Sequence, residues 1–113
     1  MLQQPSFHWA EGVTFTAGGP DPQSLLENDE LKVVLVGLEP KQRIPPHPVP
    51  SAVYYFIEGN GWMTVDEDRF EVSAGLIVRT QNGAQRSLEA STRLVFVGVH
   101  GKPNGRQQSE QRA

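Results

Sequence analysis

The sequence contains no cysteine, so disulfide bonds and thiolate metal sites are excluded. It has no run of basic residues and a net charge of −3, so it lacks the positive surface that nucleic-acid binding requires. No apolar stretch approaches the roughly 20 residues of a membrane-spanning helix. These absences predict a protein with no nucleic-acid partner and no membrane partner.

The first residues, MLQQPSFHWAEG, lack the basic start and apolar stretch of a signal peptide, so we expect a soluble, cytoplasmic protein. A chain of 113 residues suits one domain, because two domains of half that length would each bury apolar surface poorly. We predict a single domain over residues 1–100. The remainder, GKPNGRQQSEQRA over residues 101–113, has almost no large apolar side chain and is predicted to be a disordered tail.

Glycine and proline, with 11 and 9 residues, stand between short apolar runs, which is typical of an all-β domain with many turns. Eight strands are predicted: Val13–Thr16, Leu31–Leu38, Ala52–Glu58, Trp62–Val65, Phe70–Val72, Leu76–Thr80, Arg86–Glu89 and Leu94–Val99. Strands of this number and length indicate a small barrel or a two-sheet sandwich.

Two of these strands are apolar on both faces. Leu31–Leu38 is rich in β-branched residues and nearly all apolar, so we expect it to be covered on both sides. Ala52–Glu58 is apolar or aromatic except at its last residue. One face of this strand should line a barrel interior, and the other should meet a second layer or a subunit partner.

Turn chemistry predicts hairpins at Glu58-Gly59-Asn60-Gly61 and at Asp66-Glu67-Asp68. The segment before the second predicted strand is ambiguous. Asp21 and Pro22 could begin a short helix over Gln23–Glu27, or SLLENDEL could be a strand, a turn and the start of the next strand.

The segments LEPKQRIPPHPV and YFIEGNGWMTVDEDRFEVSAG resemble the first motif of the cupin superfamily and the strands that follow it. AGLIVRTQNGAQRSLEA stands where the second motif belongs, and the resemblance covers about residues 31–99. It implies an all-β, cupin-like double-stranded β-helix, which is a jelly-roll barrel. Because such domains often pair through an outer sheet, we also expect a homodimer.

The family's metal site consists of three histidines and one glutamate, and this chain departs from that pattern. His47 can take one histidine position in either of two alignment registers, while the glutamate position falls on Ala52 or Val53. Arg86 replaces the histidine of the second motif, and a guanidinium would repel a divalent ion. His100 could supply a second ligand, but at the end of the last strand it could equally face outward. We therefore predict no bound metal and no cofactor.

If the barrel forms as the resemblance implies, His47, Tyr54, Gln81 and Arg86 are candidates for its mouth. Phe56 lies on the same face of its strand as Tyr54 and completes the predicted ligand-binding set. An apolar pocket with a few converging polar groups is the usual form of a small-molecule site. The guanidinium of Arg86 suits a carboxylate or a phosphate, and the imidazole of His47 could act as an acid or a base. The predicted function is a metal-free domain that binds a small molecule, and Arg86 would suit an anionic one.

Two other functions stay open. Some sugar-epimerising cupins use a histidine base and a tyrosine acid without metal, which would make this chain an isomerase or epimerase acting through His47 and Tyr54. Whether the chain is an enzyme stays undecided at this stage. The third possibility is a purely structural dimer module whose barrel is filled by Tyr54, Phe56 and Leu88. In that case Arg86 would pair with a surface carboxylate such as Glu89 or Glu71.

Overall fold

The computed structural model describes residues 4–102 of the chain. The predicted tail, apart from its first two residues, lies outside the described residues. Over the described range the elements are α1 (Trp9–Gly12), β1 (Gln23–Glu27), β2 (Leu31–Leu38), β3 (Arg43–Val49), β4 (Ala52–Glu58), β5 (Asn60–Val65), β6 (Asp68–Ser73), β7 (Ile77–Thr80), β8 (Ala84–Ala90) and β9 (Leu94–Gly101).

The strands form two antiparallel sheets that enclose one hydrophobic core. Sheet A has five strands in the order β1-β2-β9-β4-β7, and sheet B has four in the order β3-β8-β5-β6. Alternate side chains of each strand point inward, so both sheets contribute to the same core. This two-sheet, all-β arrangement agrees with the prediction. Between residues 4 and 102, none of the chain forms a helix long and apolar enough to span a membrane.

The segment before β1 covers the outer face of β2 instead of forming the predicted strand Val13–Thr16. Residues 13–16 have no strand structure. They lie so close to Gly37 that a Cβ atom there would be 2.7 Å from the carbonyl oxygen of Thr14. Leu35, on the same face of β2, is only 2% exposed. The prediction that β2 is covered on both faces is therefore confirmed from Val34 to Leu38, where Gly37 allows the covering segment to approach, whereas Leu31 and Val33 are half-buried.

The ambiguous segment SLLENDEL is a strand, a turn and a strand rather than a helix. β1 pairs with β2, and the side-chain oxygen of Asn28 accepts hydrogen bonds from the backbone N–H groups of Glu30 and Leu31 at 2.8 and 3.1 Å. An asparagine in this role favours a tight turn over a helix.

One of the two predicted hairpins is confirmed and the other is wrong. β5 and β6 pair around Asp66, whose φ of 55° lies in the left-handed region. β4 and β5, however, belong to different sheets, so Gly59 is the point where the chain crosses from sheet A to sheet B. Gly59 has a φ of 89°, and a Cβ atom there would be 1.7 Å from the carbonyl oxygen of Arg93. The crossing therefore requires glycine.

Strand β3 was not predicted because its sequence, RIPPHPV, contains three prolines. Two features of the sheet explain why these prolines are tolerated. β3 is an edge strand of sheet B, where a missing N–H donor costs little. Pro45 and Pro46 also lie in a bulge between Ile44 and His47, where two residues stand opposite one residue of β8.

The inner face of sheet A changes from charged to apolar along its strands. At one end, Lys32 of β2 and Ala52 of β4 flank His100 of β9. Two residues further along, Val34 and Tyr54 flank Gly98. The next inward-facing row is fully apolar, with Phe96 at its centre. The core is therefore closed at one end and carries ionisable groups at the other, which we call the polar end.

The outer face of sheet A presents apolar side chains on three neighbouring strands. Val99, Val53, Tyr55 and Ile77 are between 38% and 60% exposed. Val53 pairs with Val99, and Tyr55 pairs with Ile77, so the four side chains form one patch. This patch is the second face of β4, which the sequence predicted to need a cover.

The homodimer stays a prediction, and the Val53–Tyr55–Ile77–Val99 patch is where we expect its interface. Tyr55→Lys should convert a wild-type dimer to a monomer in light scattering, because it buries a charge at the contact. Leu26→Lys is the matched control, since Leu26 is 52% exposed on the far edge strand β1. A wild-type protein that remains monomeric at high concentration would contradict the prediction.

Candidate functional site

A cavity of about 220 Å³ opens between the two sheets at the polar end of the core. We call it the inter-sheet cavity. Its lining comes from both sheets and from the segment before β1: Pro22, Lys32, Val34, Val36, Ile44, Tyr54, Arg86, Phe96 and His100. It is smaller than the roughly 300–1,000 Å³ clefts that hold drug-sized ligands, so its size suits a small metabolite.

Arg86 enters this cavity from strand β8 of sheet B. Its cross-strand neighbours are His47 on β3 and Val65 on β5. The Nε and Nη1 atoms of Arg86 are buried and have no hydrogen-bond partner within residues 4–102. A guanidinium carries five N–H donors, and leaving them unpaired in a buried place lowers stability.

The surface ion pair considered for Arg86 is not present among the described residues. Glu89 lies on the opposite face of β8, where its carboxylate is 3.6 Å from Arg43 and 3.9 Å from Arg69. Within residues 4–102 no carboxylate lies within ion-pair distance of Arg86. The guanidinium therefore keeps its positive charge uncompensated by these residues.

Tyr54 contributes a second buried polar group without a partner. The side chain is 1% exposed, and its hydroxyl has no hydrogen bond to any described residue. The ring lies against Gly98, where a Cβ atom would be in ordinary van der Waals contact with it at 3.4 Å. Buried tyrosine hydroxyls usually find a partner, so an orphaned one marks a place for a ligand or water.

His100 faces into the cavity rather than outward. Its ring packs edge-on against Tyr54, with 5.6 Å between ring centroids, and its cross-strand neighbour is Lys32. Burial lowers the pKa of His100 below its usual value, and the positive charges of Arg86 and Lys32 lower it further. The imidazole is therefore neutral near pH 7 and can accept a proton or a hydrogen bond.

The structure separates the five side chains that the sequence placed together. Tyr54 and Arg86 line the inter-sheet cavity, whereas His47 is exposed and lines a shallow depression beside it, with Arg86 and His100. The Nδ1 atom of His47 lies 2.7 Å from the carbonyl oxygen of Pro48. Phe56 is fully buried in the closed part of the core, and Gln81 lines a different depression beside Val53 and Arg79. Neither Phe56 nor Gln81 lines the inter-sheet cavity, so the expectation that Gln81 shares a mouth with Tyr54 and Arg86 is wrong.

Sequence reasoning missed Lys32 as a residue of this cavity and left open whether His100 faces inward. Lys32 interrupts an otherwise apolar strand, and it is the one charged residue between Leu31 and Leu38. A lysine at an inward-facing position of a central strand was the available signal.

The metal site implied by the cupin resemblance does not fit the residues of this chain. Among residues 4–102, no group of three or more histidine, aspartate or glutamate side chains could hold a metal ion. At the polar end the histidine closest to such a role, His100, stands beside two cations, Lys32 and Arg86. Positive neighbours oppose the binding of another cation.

Comparison with solved structures places this fold among double-stranded β-helix proteins. A conserved protein of unknown function from Streptococcus pyogenes is 19% identical, with 93% of both chains covered and a TM-score of 0.81. An uncharacterised Klebsiella pneumoniae protein with a double-stranded β-helix domain is 23% identical, with 90% of this chain and 93% of that one covered and a TM-score of 0.81. A cupin superfamily protein from Desulfitobacterium hafniense is 9% identical, with 91% and 94% covered and a TM-score of 0.80.

The sequence matches no protein-family model and no curated protein. At identities below one quarter, the structural likeness establishes the fold alone. It confirms the predicted double-stranded β-helix. The chemistry of the inter-sheet cavity depends on the residues of this chain.

Proposed function

We propose that this chain, which has the cupin fold, binds a small anionic molecule in the inter-sheet cavity. The observation that carries the proposal is that Nε and Nη1 of Arg86 and the hydroxyl of Tyr54 are buried without a hydrogen-bond partner among residues 4–102. Buried donors without partners are rare in folded proteins, because each one loses its hydrogen bonds to water on folding and so lowers the stability of the protein. A ligand with acceptor oxygens would restore those hydrogen bonds.

The charge of the cavity favours an anion over a neutral ligand. Arg86 and Lys32 both line it, and no aspartate or glutamate is among its lining residues between positions 4 and 102. A carboxylate or phosphate oxygen would form charge-assisted hydrogen bonds with Arg86, and these are stronger than bonds between neutral groups. The partial burial of the site strengthens the attraction, because water screens it less.

A thermal-shift screen of small carboxylates and sugar phosphates tests the proposal. We expect at least one anion to raise the melting temperature of the wild type. Arg86→Gln should weaken its binding by roughly ten- to a hundredfold, since a hydrogen bond to a charged group contributes about 1.5–3 kcal/mol. Arg79→Gln is the matched control, because Arg79 lies on β7 at an exposed position away from the cavity.

Two outcomes would overturn this function. Either no anion stabilises the wild type, or Arg86→Gln and Arg79→Gln change the binding equally. In both cases the structural alternative, a dimer module with Tyr54, Phe56 and Leu88 as core residues, would account for the fold better.

The geometry also supports a second candidate function, a metal-independent proton-transfer enzyme, with His100 in place of His47. Tyr54 and His100 share the cavity and pack against each other, whereas His47 is exposed outside it. A neutral imidazole could remove a proton next to the substrate's carboxylate while the tyrosine hydroxyl supplies one. Isomerisation of a bound acid that Tyr54→Phe and His100→Gln each abolish would favour this enzyme. Binding without turnover would favour the simple receptor.

A further inference from the structure

We propose that the inter-sheet cavity takes an organic acid with one anionic end and an apolar body, and that His100 gains a proton when this acid binds. The inference rests on the proposed anion-binding function and deepens it. The ligand class is a carboxylic acid with an apolar body, and its affinity for the site depends on pH.

The ligand class follows from how polar and apolar groups are distributed in the cavity. Lys32, Arg86 and His100 lie together at the polar end, where the two sheets open. Val34, Val36 and Phe96 form the apolar wall behind them. A molecule that fills this space must place its charge at one end and apolar atoms at the other. A sugar phosphate would leave its hydroxyl groups against apolar walls without partners.

The coupling to protons follows from the groups that surround His100. Sheet A contributes Lys32 from β2 and Tyr54 from β4, and sheet B contributes Arg86 from β8. His47 on β3 and Lys102 after β9 line the neighbouring depression that His100 also borders. None of these groups is a carboxylate. The carboxylate of Glu27 bonds Lys102 at 3.0 Å and lines neither the cavity nor the depression, so among residues 4–102 no acidic group lines the space around the imidazole.

An anion in the cavity changes that balance. Its negative charge offsets the fields of Arg86 and Lys32, which together with burial hold the pKa of His100 low in the free protein. The pKa of His100 is therefore higher in the complex than in the free protein. By linkage, the complex takes up a proton between the two pKa values, and the acid binds more tightly as the pH falls through that interval.

Isothermal titration calorimetry with benzoate measures this proton uptake directly. Titrations near neutral pH in Bis-Tris, imidazole and Tris, which are cationic buffers with different heats of ionisation, give the number of protons taken up from the slope of the binding enthalpy. Benzamide is the uncharged control ligand. We expect benzoate to bind with uptake of up to one proton, and benzamide to bind weakly without uptake.

Two histidine variants locate the proton. His100→Gln should abolish the uptake and flatten the pH dependence of benzoate affinity, which in the wild type should rise by up to about tenfold per pH unit on acidification. His47→Gln should keep both effects, because His47 lies outside the inter-sheet cavity. A histidine resonance whose titration shifts to higher pH when benzoate is added to the wild type gives a second readout, should His100→Gln fold poorly.

The outcomes separate this inference from the function on which it rests. Benzoate binding without proton uptake, or uptake retained in His100→Gln, overturns the coupling and leaves the anion site intact. Binding of sugar phosphates but not of benzoate overturns the ligand class. Failure of every anion in the thermal-shift screen overturns the proposed function and this inference together.

Discussion

The half-buried guanidinium of Arg86 determines the chemistry of the inter-sheet cavity. Its Nε and Nη1 atoms are removed from water and have no partner among the described residues. A side chain of this kind opposes folding, because a core filled by apolar groups would avoid its desolvation. Proteins retain a destabilising residue where a binding site requires it. The hydroxyl of Tyr54, which also has no partner among the described residues of this cavity, supports that interpretation.

The sequence predicted the fold well wherever a strand is built from β-branched and aromatic residues, as in β2 and β4. It failed where tertiary position overrides local propensity. The prolines of β3 are tolerated because that strand lies at a sheet edge. The sequence of a strand does not show which other strands lie beside it. Gly59 resembles a hairpin glycine, but the crossing between sheets uses the same left-handed conformation. Turn chemistry alone does not say which strands will pair.

The candidate site was predicted in part for the same reason. Tyr54 and Arg86 could be placed because strand alternation and the cupin resemblance both predicted that their side chains face the barrel interior. His100 could not, because its direction depends on the register between β9 and β2, which sets it beside Lys32. Gln81 follows the last residue of β7, where the alternation ends, so its direction could not be derived from the strand. Register determines which residues meet on neighbouring strands of a sheet, and the pattern along a single strand does not identify its partner residues.

Thermal unfolding of the ligand-free Arg86→Met variant tests whether Arg86 serves binding at the expense of stability. If Arg86 is kept for binding, the substitution should raise the free energy of unfolding by about 1 kcal/mol or more, because it removes buried, unpartnered donors. For a domain of this size that shifts Tm upward by roughly 4–8 °C. Arg79→Met, at an exposed position, should leave Tm nearly unchanged. A clear loss of stability in Arg86→Met alone would contradict the account, because it would make the guanidinium a structural group of the fold.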